Sequence, residues 1–165
     1  LAGPPSSAHS IELVTAADLG DLLELMRAYC SFYRSTPSDD ALLTLSRALL
    51  ADPPAEGLQL IARDEGATAA GFATIYWSWS TTGASRIGIM NDLYVAPQAR
   101  GTGLADRLIA ACLERCSERG ASALQWQTAP DNLRAQAVYD RIGGRRETWV
   151  DYTLDVAPAA RGPRP

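Results

Sequence analysis

Apolar positions recur along this chain in two periods, near 3.6 and near 2, and the switches between them mark its elements. Residues 10–14 read as a first strand. From about residue 16 to 33, Leu19, Leu22, Leu23, Met26, Cys30 and Tyr33 form the stripe of an amphipathic helix, entered through a Thr15/Asp18 capping pair. A second helix opens after Pro37-Ser38, with Asp39 and Asp40 in its first turn and Leu42, Leu45 and Leu49 inward; Asp52-Pro53-Pro54 ends it. Residues 58–63 predict a strand, 64–66 a turn, and about 69–80 a longer strand in which Ile75, Trp77 and Trp79 alternate with Tyr76, Ser78 and Ser80. A turn at 81–84 leads into a strand over 86–95. Leu104, Leu108, Cys112 and Cys116, with Ala105 and Ile109 beside them, predict a helix that Gly120 closes. Residues 123–128 form the next strand. Asp131-Asn132 opens a short helix with Ala135, Val138 and Ile142 inward and Gly143-Gly144 at its end, and residues 148–156 are expected as a final strand carrying Trp149, Tyr152 and Leu154.

These elements predict helices packed on a mostly antiparallel meander. A right-handed crossover through the helix after Gly103 makes 123–128 parallel to 86–95, and the two strands splay from a shared cleft. Residues 10–156 are expected to be one domain between flexible tails at 1–9 and 157–165, rich in Gly, Pro, Ser and Ala at one end and Pro, Ala and Arg at the other.

The chemistry concentrates in residues 88–113. A strand breaks at Pro97, turns through Arg100-Gly101-Thr102-Gly103, and re-emerges as a helix. The first N–H groups of a helix lack internal partners and the dipole makes that end positive, while glycines without a Cβ let a phosphate approach the backbone. A Walker loop is excluded, because the chain contains no lysine. A dinucleotide fingerprint fails as well, because Asp106 stands where its third glycine belongs.

Gln98-Ala99-Arg100-Gly101-Thr102-Gly103 follows a strand ending Asp92-Leu93-Tyr94-Val95-Ala96-Pro97. This pattern resembles the acyl-CoA-binding motif Q/R-x-x-G-x-G/A of the GNAT N-acetyltransferase superfamily. Asn132, Ala135, Tyr139 and Gly143 resemble its second signature, N-x-x-A-x-x-x-Y-x-x-x-G-F, departing only where Gly144 replaces Phe. The strand over 91–95 and the W-x-x-Y-x-L ending look most like the spermidine/spermine-type small-amine acetyltransferases. The resemblance implies an α/β (α+β) fold with a mixed sheet of six to seven strands, about four helices, and one parallel pair splayed at the cofactor cleft. It implies acetyl-CoA as cofactor, held by Leu93, Tyr94, Val95, Gln98, Arg100, Gly101, Thr102, Gly103, Leu104, Ala105, Asp106, Asn132, Ala135 and Tyr139. It also implies a bulge near Leu93 to Val95, where one backbone N–H polarises the thioester carbonyl.

Tyr139 matches the position that protonates the departing CoA sulfur. In small-amine relatives a glutamate commonly stands at the position matching Asn91. Asparagine cannot accept a proton usefully but can orient water or the acceptor. Strand alternation sends the neighbouring Asp92 to the opposite face, which leaves a water chain, Asp151, or an already deprotonated substrate to serve as base. Tyr33, Trp77, Asn91 and Trp126 are the candidate acceptor-side residues. The expected activity is direct transfer of acetyl from acetyl-CoA to a primary amine in a ternary complex, with a small-molecule, polyamine or amino-acid-like acceptor favoured over protein. No covalent acyl-enzyme is expected, since Cys112 and Cys116 have no histidine at hand. Asn91 also motivates an alternative, a catalytically weak acyl-CoA-binding or sensor module.

Composition adds boundaries. The 165 residues carry a net charge of −4, and all 15 basic residues are arginine without a long run, so no nucleic-acid partner is expected. No apolar stretch is long enough to span a membrane and no signal peptide is visible; with Cys30, Cys112 and Cys116 read as free thiols, a reducing cytoplasm is expected. The only histidine, His9, lies in the expected tail, so no metal site is expected. A homodimer through exposed sheet follows by analogy alone.

Overall fold

The structure, a computed structural model, describes residues 9–156. Most of the expected tails, residues 1–8 and 157–165, lie outside the described residues. His9 is buried, and its backbone carbonyl accepts a hydrogen bond from Arg107. The elements are β1 (Ser10–Leu13), α1 (Leu19–Phe32), α2 (Asp39–Ala51), β2 (Gly57–Arg63), β3 (Ala69–Ser80), β4 (Ser85–Val95), α3 (Leu104–Glu118), β5 (Leu124–Gln125) and α4 (Leu133–Arg141). Among the described residues the strands form one sheet in the order β1-β2-β3-β4-β5. Every neighbouring pair is antiparallel except β4 and β5.

Local chemistry explains the helix entries. The Thr15 N–H and hydroxyl both donate to Asp18 Oδ2, at 2.9 and 2.7 Å, ahead of α1. The Ser38 hydroxyl oxygen accepts from the Ala41 N–H at 3.2 Å and starts α2. Arg63 of β2 ties the α1 entry to the sheet through Asp18 at 2.8 Å and Asp21 at 2.6 Å.

Because helices cover both faces of the sheet, its central strands are nearly continuous runs of buried residues. On one face Leu60, Ala62, Ala73, Ile75 and Met90 pack with Leu104, Leu108, Ile109 and Cys112 of α3. On the other, Ile61 and Phe72 pack with Leu22, Leu25 and Met26 of α1. Full burial of each large side chain contributes about 1.5–3 kcal/mol. Helix α3 sits close to β4 at Gly88, where a Cβ would stand 2.5 Å from the Cys116 sulfur.

Three expectations need correction. The sheet has five strands, not six to seven. Strand β5 spans two residues rather than 123–128. Residues 148–156 form no strand, and Val150, Tyr152, Leu154 and Val156 are 74%, 91%, 95% and 106% exposed. Their alternation supplies one apolar face, but a strand also needs a neighbouring edge to pair with. The second edge of β5 is free, but at two residues it is too short to offer such a ladder. Helix α4 likewise buries less than its pattern predicts: Val138 and Tyr139 pack against the α3-side core, whereas Ile142 is 36% exposed.

The resemblance also misplaces the bulge. Thr74 of β3 faces Asp92 while Ile75 faces Met90, so Asn91 is the extra residue on β4, ahead of Leu93. The strand turns over at that point. Met90 belongs to the α3-side core, whereas Asp92 lies opposite Thr74, whose hydroxyl accepts a hydrogen bond from Gln59 next to Met26 of α1.

Candidate functional site

Strands β4 and β5 share only two register pairs, Gly88 with Leu124 and Ile89 with Gln125. Beyond Ile89, β4 continues six residues further without pairing to β5, so a gap opens along its C-terminal half. A strand edge of this kind presents unpaired backbone N–H and C=O groups to whatever enters the gap.

The start of α3 closes one end of the gap. Gly101 and Gly103 both have φ of +80°, and a Cβ built on either would meet no atom within 4 Å. Gly103 is the N-cap residue and the first intrahelical bond runs from Arg107 N–H to its carbonyl, so the amides of Leu104, Ala105 and Asp106 precede the ladder. Thr102 is folded back, its hydroxyl donating to the Ala99 carbonyl at 2.7 Å. Arg100 Nε donates to the Val95 carbonyl at 3.1 Å, which draws its guanidinium to the end of β4. Gln98 lies exposed in the 3-10 turn Pro97–Ala99. Asp106 would oppose an anion here, but Arg141 of α4 holds its carboxylate at 2.6 and 2.8 Å. That ion pair also docks α4 beside the start of α3.

Helix α4 is capped by Asn132, whose side-chain oxygen accepts from the Ala135 N–H at 3.3 Å. Two turns on, Tyr139 is half-buried and meets the Trp126 ring edge-to-face at 5.3 Å. Burial pushes its phenol above the ordinary value, and nearby Tyr33 adds to that shift. The hydroxyl is therefore protonated at neutral pH, the state that a proton donor requires.

On the α1 side of β4, opposite Thr74, Asp92 is partly exposed. Burial raises its carboxyl above the usual range, and hydrogen bonds from Thr74, Tyr29 and Asn91 offset part of the rise. The Asn91 amide donates to Asp92 Oδ1 at 3.0 Å, and the Tyr29 hydroxyl also reaches the Asn91 carbonyl at 3.4 Å. Burial, then the Asp92 charge, pushes the Tyr76 phenol to about 12 and raises Tyr29 further still. Tyr29 stacks edge-to-face on Tyr33 at 5.0 Å.

The structure thus gathers Leu93–Val95, Arg100–Asp106, Tyr139, Trp126 and Asn91 around one gap, with Tyr33 at its α1 side. It does not bring Trp77 there: Trp77 packs in the α3-side core, its indole N–H on the Pro53 carbonyl at 2.9 Å and Arg119 over its ring. Asp151 is exposed and accepts from Gln127 Nε2 at 2.9 Å. Sequence reading set Asp92 aside and passed over Thr74, Tyr29 and Tyr76. A period-2 pattern carries no sign of a bulge, and only the cluster of tyrosines near a carboxylate could have hinted at it.

Comparison with known proteins agrees with this geometry. Residues 20–144 match the family model described as Acetyltransferase (GNAT) family. The uncharacterised N-acetyltransferase YhfO of Bacillus subtilis is 31% identical over 148 residues, 89% of this chain and 97% of that protein. The D-amino-acid N-acetyltransferase HPA3 of Saccharomyces cerevisiae is 31% identical over 121 residues, 72% of this chain and 74% of its own. The solved aminoglycoside N-acetyltransferase AAC(6')-Iy in complex with CoA superposes with a TM-score of 0.80, covering 94% of this chain and 100% of that one at 22% identity, a likeness of fold.

Proposed function

The chain belongs to the acetyltransferase (GNAT) family and is an acyl-CoA-dependent transferase, and from that premise we propose that it moves acetyl from acetyl-CoA directly to the primary amine of a small molecule. The observation that carries this reading is the gap beside β4, bounded by an anion-ready helix start and by Tyr139.

The residues present fit the donor. Open backbone at Gly101 and Gly103, the first-turn amides of α3 and the Arg100 guanidinium suit a pyrophosphate, and the Arg141 pair removes the one opposing charge. The free edge of β4 after Ile89 would hold the pantetheine arm by backbone hydrogen bonds. The bound donor supplies an activated acyl thioester. This chain's part is then to hold the acceptor against that edge and to move protons. Tyr139 is placed to give its proton to the departing sulfur, being protonated and half-buried beside Trp126. The D-amino-acid specificity in the name of one relative supports a small primary amine as the acceptor class.

The test is thiol release from acetyl-CoA with a panel of polyamines, amino acids and peptides, beside direct acetyl-CoA binding. Release that requires a small amine supports the reading. Donor binding without release on any amine contradicts it and favours a binding module.

A further inference from the structure

Asp92 is a half-buried carboxylate at the substrate gap, and none of the ion pairs among the described residues includes it. Its partners are neutral donors. Thr74, whose Oγ1 accepts from Gln59 Nε2 at 3.2 Å, stands opposite Asp92 in the register. The Asn91 amide donates to Asp92 Oδ1 at 3.0 Å, and the Tyr29 hydroxyl donates to the Asn91 carbonyl beside it at 3.4 Å. The titratable groups near it are Tyr29 and Cys30 of α1 and Tyr76 of β3, all neutral acids whose own ionisation its charge opposes. A partly exposed carboxylate held by a neutral amide, with no ion pair among the described residues, is complementary to a cation that arrives from solution.

We propose that Asp92 is the residue that binds the acceptor's ammonium and takes its proton, the role that Asn91 cannot fill. This rests on the transferase reading above. The bulge at Asn91 is what delivers it, since unbroken alternation would have put Asp92 on the same face as Met90, inside the α3-side core. Asn91 then serves as a positioning residue that donates to the carboxylate. In the reaction an N–H bond of the ammonium breaks toward an Asp92 oxygen and its electron pair stays on nitrogen. That pair forms the new N–C bond as the C–S bond of the donor breaks. Tyr139 gives a proton to the sulfur and regains one from the new amide nitrogen, and Asp92 returns its proton to water, so one proton is released overall.

The experiment compares wild type with Asp92→Asn, reading acetyl-CoA affinity and the pH profile of amine-dependent kcat/KM. Wild-type kcat/KM should rise through a carboxylate pKa below neutrality and fall as the free ammonium loses its proton near pH 10. Asp92→Asn should bind acetyl-CoA as wild type does and lose kcat about a hundredfold or more, its residual rate climbing toward the amine pKa. An unchanged kcat and profile in the variant overturns the inference, even if KM rises. A wild-type profile with no limb below the amine pKa overturns it without any variant. No thiol release by wild type with any amine would instead overturn the transferase reading itself.

Discussion

On the α3 side of β4, strand and helix meet through small and apolar side chains. Gly88 admits the Cys116 sulfur, with Ile75 and Leu124 close by, and Met90 and Leu108 belong to the same apolar cluster. On the α1 side the same strand meets Thr74 in register and the Tyr29 hydroxyl at the Asn91 carbonyl, beside a carboxylate that the Asn91 amide holds. Met90 and Asp92 belong to these two environments although strict pleating would place both on one face. A single extra residue changes the partners of everything after it. The first surface is a packing surface that fixes the helix start facing the donor, and the second is a polar pocket that faces the acceptor. The division predicts that damage to each side has its own readout.

The largest effect is expected at the junction of the two sides. Tyr139→Phe should lower kcat about a hundredfold or more with acetyl-CoA affinity unchanged, measured by thiol release and calorimetry. A drop in donor affinity instead would mean that the hydroxyl binds the donor and gives no proton. Next is the packing surface itself. Gly88→Ala should cost about 1–3 kcal/mol in chemical denaturation, since its Cβ would stand 2.5 Å from the Cys116 sulfur. Adding Cys116→Ala should make the double variant more stable than the sum of the two single losses predicts, and plain additivity would show that the contact relaxes freely.

Gly103→Ala forces a side chain into left-handed backbone at φ of +80°, at a cost of about 1–2 kcal/mol. It should weaken acetyl-CoA binding while leaving the amine KM at saturating donor in place. Smaller again is the pH response of stability at Asp92. Its folded pKa lies above the unfolded one, so the native state holds that proton more tightly. The resulting stability is complete below the unfolded value and is lost as pH rises through the folded one. The Tm difference between Asp92→Asn and wild type should therefore shift in favour of the variant as pH rises from about 4 to 8. A flat difference would mean that the carboxylate is solvated. The smallest effect is Arg141→Ala, which breaks an exposed pair worth less than about 1 kcal/mol to stability. It should still weaken donor binding severalfold, because Asp106 would then face the phosphate unneutralised.

The same division governs what the sequence reveals. The donor side was legible because its signals are local. Glycines at positions that need positive φ, a Pro-broken strand and a four-residue apolar repeat all act within a few residues, and α3 begins one residue after Gly103 as expected. The Thr15/Asp18 and Ser38 caps were legible for the same reason. The acceptor side depends on which residue of β3 faces which residue of β4. The period-2 pattern of β4 looks unbroken at Asn91, and the shift arises only from pairing with Thr74 and Ile75. Residues 148–156 failed in a related way. Val150, Tyr152, Leu154 and Val156 carry the alternation of a strand, yet alternation states only what a segment could pair with, and the short β5 gives it no ladder.

The most direct measurement of the central claim, direct transfer from donor to amine across this gap, is an initial-rate matrix. Acetyl-CoA and the best amine of the panel are varied together, with the product mass recorded. The account predicts intersecting double-reciprocal lines, an acetylated amine and no mass gain on the protein, because both substrates must occupy the gap beside β4 at once. Parallel lines with an acetylated protein would contradict it, since the acyl group would then be passing through a residue of the chain.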